Sequence, residues 1–125
     1  MDEIILLAED ESAVRKFLMA ALKAHGYRVV EARDGADALE IGRKLQHIDL
    51  VLSDVVMPSM NGGKLATELK AIHPKAKFLF ISGYTKDTVS MKDLGDGASF
   101  LQKPFTQTEI LAKVREVLGT PATAG

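Results

Sequence analysis

Five polar side chains in this sequence each follow a short apolar run, at points where a buried strand would end. Glu9 and Asp10 come directly after the first apolar run of the chain. Asp54 ends the third run, and Ser82 and Lys103 follow the fourth and fifth. A carboxylate is disfavoured in a strand and costly to bury alone. Asp54 therefore needs partners that make its position tolerable.

Three carboxylates gathered at one place would repel one another and be partly protonated unless a positive charge lay among them. A divalent cation would supply that charge. Oxygen ligands without histidine or cysteine suit Mg²⁺ or Mn²⁺, and Mg²⁺ typically keeps several waters on a site of few carboxylates. The ammonium group of Lys103 would supply the remaining positive charge. The residue types therefore predict a magnesium site beside a lysine.

A divalent cation, a lysine and a hydroxyl group are also the groups that assist phosphoryl transfer. In that reaction a carboxylate can be the nucleophilic acceptor. Asp54 is the favoured acceptor because it ends the central strand, between the acidic pair and the lysine. Ser82 would donate a hydrogen bond to an oxygen of the transferred group.

The elements that must position these residues alternate along the chain. We predict strands over residues 4–8, 27–32, 49–53, 78–81 and 98–101. Helical patterns follow Ser12, Asp34, Gly63 and Thr106, and a weaker, glycine-punctuated helix runs from about 85 to 93. Five strand and helix pairs imply a parallel sheet covered on both faces. Ligands of such sheets bind beyond the carboxyl ends of the strands, where the five polar side chains stand.

The composition limits the class of protein. The 125 residues suffice for one domain with a real core, and 26% charged and 46% hydrophobic residues are close to the globular average. A net charge of −1 argues against broad electrostatic binding of nucleic acid. The lack of cysteine excludes disulfides and thiolate chemistry.

The ends of the chain suggest a soluble intracellular domain. Acidic residues stand where a signal peptide needs basic ones, and no apolar stretch is long enough to span a bilayer. We expect a domain over residues 1–118 and a flexible tail or linker stub over 119–125. His25, His47 and His73 are scattered near helix ends, and we interpret all three as surface residues.

Four short segments occur in an order and at intervals that are specific only when taken together. They are LLAEDE, SDVVMPSMNG, FISGYT and FLQKPF. With them the chain resembles the receiver (CheY-like) domain of bacterial two-component signalling proteins over essentially its whole length. The resemblance implies an α/β, flavodoxin-like (βα)5 sandwich with strand order 2-1-3-4-5. It also implies a domain that catalyses only its own phosphorylation and dephosphorylation.

The resemblance implies a role for each polar residue. Asp54 would be the phosphoacceptor, and the metal ligands would be Asp54, Asp10 and the backbone carbonyl of Val56. Glu9 would act on the metal through water.

The remaining implied roles concern the lysine and the switch. Lys103 would pair with the phosphoryl group, and its peptide bond to Pro104 would be cis. Ser82 would be the switch hydroxyl and Phe100 the switch aromatic. Phosphorylation would then reshape the face around the fourth helix and fifth strand.

The chain departs from the family's common pattern at several positions. Glu9 replaces an aspartate, Ser82 replaces the more frequent threonine and Phe100 replaces the frequent tyrosine. Val56 and Tyr84 flank the site where other members carry polar groups. An apolar side chain at Val56 should position an attacking water poorly.

The implied partners are a sensor histidine kinase or a histidine phosphotransfer domain. A phosphorylation-dependent dimer would use the fourth helix, fifth strand and last helix. The resemblance implies no direct contact with nucleic acid or membrane. The segment looks most like receivers attached to hybrid sensor histidine kinases, cytoplasmic in location, while a free-standing regulator stays nearly as well supported.

The same residues allow other interpretations. An aspartate-nucleophile phosphatase would share the sheet and acidic site, although Val56 stands where such enzymes want a second acid. An unphosphorylated pseudo-receiver is a further alternative. Taken singly, Glu9 or Asp10 could be an acid that stabilises the N-terminus of a helix. Ser82 could serve only to form a turn, and Lys103 could be a solvated surface residue.

Overall fold

Residues 3–83 and 98–119, which the computed structural model describes, form a five-stranded parallel sheet between two layers of helices. The strands are β1 (Ile4–Ala8), β2 (Arg28–Ala32), β3 (Leu50–Asp54), β4 (Lys77–Ser82) and β5 (Ser99–Gln102). The helices in this part of the chain are α1 (Ser12–Ala24), α2 (Gly35–Lys44), α3 (Gly62–Ile72) and α4 (Gln107–Leu118). The strand order β2-β1-β3-β4-β5 confirms the predicted flavodoxin-like topology. The helix predicted over 85–93 lies outside the described residues.

The central strands are buried because their side chains are apolar towards both faces of the sheet. Every residue of β3 is buried, and β1 and β4 are buried beyond their first residues. The outer strands β2 and β5 are more accessible. This is the pattern expected for a parallel sheet covered on both sides, and it leaves polar groups mainly at the strand ends.

Two apolar cores lie on opposite faces of the sheet. On one face α2 and α3 contribute Leu39, Leu65 and Leu69 to a core that includes Phe80 of β4. On the other face, α1 and α4 cover a second core formed with β1, β3 and β4. The sheet is therefore held between two packed layers, and its carboxyl edge is fixed from both sides.

Capping interactions fix where three of the helices begin. Asp34 and Asn61 each accept a hydrogen bond from the backbone N–H three residues further on. Thr106 and Glu109 form a reciprocal capping box at the start of α4. Glu11 precedes α1 without capping it through its side chain. No helix within the described ranges combines the length and apolarity needed to cross a membrane.

Three strands end one residue later than predicted, and this matters for the site. β3 includes Asp54, which lies opposite Ile81 in the ladder, and β4 includes Ser82, which lies opposite Gln102. The backbones of both candidate functional residues are thus held by strand pairing rather than by loops.

The interpretation of His73 as a surface residue is wrong. Its side chain is buried, and Nε2–H donates a hydrogen bond of 2.7 Å to the carbonyl oxygen of Gly42. This bond ties the end of α3 to α2. His25 and His47 are exposed, as predicted.

Candidate functional site

The carboxyl ends of four strands bring the predicted polar residues to one edge of the sheet. Glu9 continues β1, where its N–H donates to the carbonyl of Ala32 over 3.2 Å. Asp54 and Ser82 end β3 and β4. Lys103 follows β5, and its N–H donates to the carbonyl of Ser82 over 2.7 Å. The strand topology alone therefore gathers residues from four separate parts of the sequence.

Lys103 is the positive centre of the site. Its Nζ lies 2.8 Å from Oδ2 of Asp54 and 3.0 Å from Oε1 of Glu9. A third carboxylate oxygen, Oε1 of Glu11, is 3.5 Å away. The side chain is 16% exposed, so these contacts are only partly screened by water. The peptide bond between Lys103 and Pro104 is cis, where the resemblance implied one.

The pKa of Lys103 is raised by its acidic neighbours. Burial on its own would lower the pKa of the ammonium group, because it disfavours the charged form. The hydrogen bond to Asp54 and the ion pairs with Asp54 and Glu9 outweigh that effect. Lys103 is therefore a permanent cation at physiological pH.

Glu9 is a buried carboxylate with an incomplete set of partners. Its side chain has no exposed surface, and Oε2 accepts a hydrogen bond of 3.1 Å from the N–H of Glu11. Its other oxygen, Oε1, is close to Lys103 but accepts no hydrogen bond. Burial, and to a smaller extent the charge of Asp54, raise the pKa of Glu9 to about 7. Protonation and binding of a cation are two ways to satisfy such a group.

Asp54 is held by the backbone that follows it. The residue is 6% exposed, and its Oδ1 accepts a hydrogen bond of 3.3 Å from the N–H of Val56. The next turn is anchored because the N–H of Val55 donates to Ile81 and the N–H of Gly62 donates to Val55. The side chain of Val56 is exposed.

Three carboxylates could hold a metal ion at this edge. Oxygen atoms of Glu9, Glu11 and Asp54 lie within 4.8 Å of one another. Asp10, which the resemblance assigns to the metal, is exposed and does not belong to this group. Glu11 was missed because it lies inside a helix-start pattern, and nothing in its sequence position separates it from an ordinary surface acid.

Ser82 and Phe100 lie on the neighbouring strands β4 and β5. Ser82 is buried, being 1% exposed, at the end of β4. Phe100 lies opposite Phe80 in the β4–β5 ladder and is partly buried against the core beneath α2 and α3. The geometry is compatible with the roles implied for both residues, which stay predictions.

The chain matches the response regulator receiver domain family over residues 5–115. It is 45% identical over 116 residues to the sensor kinase CckA of Brucella abortus (strain 2308), covering 91% of this chain and 12% of that protein. It is 37% identical over 117 residues to the response regulator receiver protein CpdR of the same organism, covering 91% of this chain and 95% of that protein.

Solved structures give the same result. The crystal structure of the receiver domain from the hybrid histidine kinase CckA superimposes with a TM-score of 0.80 at 37% identity, covering 93% of this chain and 99% of the other. The chemotaxis protein CheY4 of Vibrio cholerae superimposes with a TM-score of 0.84 at 25% identity, covering 94% and 99%.

The chain therefore belongs to the response regulator receiver domain family. It is a receiver domain with a phosphoacceptor role in two-component signalling, similar to the receivers of CckA and CpdR. The matches give no support to a phosphatase-type hydrolase or an unphosphorylated interaction module. Its length is close to that of CpdR but corresponds to 12% of CckA.

Proposed function

We propose that Asp54 accepts a phosphoryl group from a histidine of a sensor kinase or a histidine phosphotransfer domain. The observation that carries this proposal is the 2.8 Å contact between Nζ of Lys103 and Oδ2 of Asp54 at the carboxyl end of the central strand. A fixed cation beside a nearly buried carboxylate offsets the negative charge that a phosphoryl group brings.

The transfer step needs few protein groups. One carboxylate oxygen of Asp54 attacks the phosphorus, the bond from phosphorus to the donor imidazole nitrogen breaks, and its electron pair remains on the imidazole. Lys103 already contacts Asp54 and would pair with an oxygen of the arriving group. Burial strengthens this pairing because little water screens it.

We propose Mg²⁺ as the cation of the acidic group, with Mn²⁺ as a substitute for the same ligands. The residues fit, since all donors are oxygens and Oε1 of Glu9 is buried without a hydrogen bond. Following the resemblance, the ion would be held by Asp54, the carbonyl of Val56 and Asp10, whose side chain is exposed and outside the acidic group, with Glu9 acting through water. When bound, Mg²⁺ would offset charge on the transferred phosphoryl group.

Phosphorylation would be read out through Ser82 and Phe100. The hydroxyl of Ser82 would donate to a phosphoryl oxygen, and Phe100 would turn further inward, reshaping the face of β5 and the adjoining helices. Dimerisation through the predicted helix over 85–93, β5 and α4 would be one use of that face.

The similarity to CckA favours a receiver that is part of a hybrid histidine kinase in the cytoplasm, and the similarity to CpdR favours a free-standing regulator. The residues encoded on either side of this segment distinguish the two contexts. A kinase core upstream would establish the hybrid arrangement.

The proposal is tested by incubating the protein with acetyl phosphate and following its intact mass. Wild type should gain the mass of one phosphate with Mg²⁺ and none with a chelator. Asp54→Asn should gain none, whereas the control Glu40→Gln, an exposed acid on α2, should behave like wild type. Labelling retained in Asp54→Asn would remove Asp54 as the acceptor.

A further inference from the structure

Glu11 contacts the site although neither its sequence position nor the resemblance assigns it a role. It directly precedes α1, and its Oε1 lies 3.5 Å from Nζ of Lys103. One of its carboxylate oxygens also lies within 4.8 Å of oxygens of Glu9 and Asp54. The side chain is therefore part of the same acidic group as the acceptor.

Glu11 differs from the other two acids because it is free to turn. Glu9 has no exposed side-chain surface, and the side chain of Asp54 is 9% exposed, so their orientations are set by packing. The side chain of Glu11 is 63% exposed and caps no backbone group of its helix. Its contact with Lys103 is long for a charge-assisted hydrogen bond and easily exchanged for another partner.

Two observations indicate that the group is arranged for a cation. Oε1 of Glu9 is buried and accepts no hydrogen bond, and the ammonium of Lys103, 3.0 Å away, is shared with Asp54 and Glu11. When ionised, the three acids outnumber the single ammonium of Lys103 by two charges, which one divalent ion would balance. Without Glu11 the imbalance would be one charge.

We propose that Glu11 is a further cation-binding residue of this receiver. It holds Lys103 when no cation is present, and it turns its carboxylate towards the cation, directly or through one water, when Mg²⁺ is bound. This rests on the proposed function, because the cation serves phosphoryl transfer. Glu11 would be one more acid beside the ligands that the resemblance implies, and it lies on the Lys103 side of the site.

The test is the affinity of the unphosphorylated protein for Mn²⁺, measured from the free-ion EPR signal, with Mg²⁺ as competitor. Glu11→Gln should raise the dissociation constants for both ions roughly tenfold at low and at high salt. Glu31→Gln is the matched control, since Glu31 is also a partly exposed acid paired with a basic side chain. It should change either constant by less than about twofold, and that change should disappear at high salt.

Two results would overturn the proposal. One is a Glu11→Gln variant whose affinities equal those of Glu31→Gln. The other is a loss of affinity that disappears at high salt, because such a loss would come from long-range electrostatic attraction and not from contact between Glu11 and the cation. Glu11→Asp provides a second check, since it keeps the charge but shortens the side chain and should fall between wild type and Glu11→Gln. These measurements do not involve phosphorylation, so loss of labelling in Asp54→Asn tests the proposed function separately.

Discussion

Glu9 shows how burial and charge compete within one residue. Its pKa is raised from 4.5 to about 7, mainly by burial, so the folded state binds the proton more tightly than the unfolded chain does. The unfolded state then carries fewer protons between these two values. The free energy of unfolding should therefore decrease as pH rises from 4.5 to about 7.

Glu9→Gln removes this titration and should flatten that part of the stability profile. Above pH 7 we expect the metal-free variant to be more stable than wild type by about 1–3 kcal/mol. Urea unfolding over a pH series measures the difference, with Glu40→Gln as an exposed control. Parallel profiles for wild type and Glu9→Gln would show that the buried carboxylate does not titrate in this range.

Lys103 balances the acidic group, and its removal should make the protein depend on a divalent cation. Lys103→Met leaves Glu9, Glu11 and Asp54 without their shared ammonium, so the metal-free variant should unfold at a lower temperature. Mg²⁺ should raise its Tm more than it raises that of wild type, because the ion replaces the lost charge.

Differential scanning calorimetry with and without Mg²⁺ measures both effects. Lys64→Met, at an exposed position on α3, is the control and should respond to Mg²⁺ as wild type does. An equal Mg²⁺ response in Lys103→Met and wild type would mean that the lysine and the cation do not share the acidic group.

At the scale of elements, the strands could be predicted because each is a short apolar run, and the order of runs and helices determined the parallel sheet. The predicted ends of the strands were less accurate than the strands themselves. Side-chain polarity predicts that β3 and β4 end before Asp54 and Ser82. Backbone pairing does not depend on side-chain polarity, however, and both residues remain in the ladder.

The pattern of apolar and polar residues in the sequence does not predict which side chains of different elements are in contact. Nothing local distinguishes His73 from an exposed histidine, and it is buried because the end of α3 lies against Gly42 of α2. Glu11 likewise becomes part of the site only because the start of α1 faces Lys103 after β5. Both facts depend on distances between elements.

The turn from β3 to α3 packs closely against the backbone of Asp54, and the closest approach is at Gly62. A Cβ at Gly62 would lie 2.6 Å from the carbonyl oxygen of Asp54 and 3.1 Å from the ring of Phe80. Both neighbours are buried, so the backbone of Asp54 would have to move. Gly62→Ala should therefore lose about 1–3 kcal/mol of stability and label more slowly with acetyl phosphate.

The control for this substitution is Gly83→Ala, whose Cβ would meet no atom within 4 Å. Chemical denaturation and the labelling rate should be measured on both variants. If Gly62→Ala behaves like Gly83→Ala in both measurements, the close approach at Gly62 does not position the acceptor.

For the whole molecule, the two cores share one sheet, so they should unfold together. Leu69 lies on the face covered by α2 and α3, and Leu22 on the face covered by α1 and α4. Either residue changed to alanine should cost about 2–5 kcal/mol, and a single transition should remain. Circular dichroism and tyrosine fluorescence during urea unfolding should give the same midpoint. Separate midpoints for the two signals would show that the faces unfold independently.

We propose that strand ends from four parts of the chain create one acceptor, Asp54, and identification of the labelled residue is the decisive test. After incubation with acetyl phosphate and Mg²⁺, borohydride reduction converts an aspartyl phosphate to homoserine, which peptide mass spectrometry locates. We predict homoserine at Asp54 alone. Homoserine at another aspartate, or phosphate on a residue other than an aspartate, would contradict the claim.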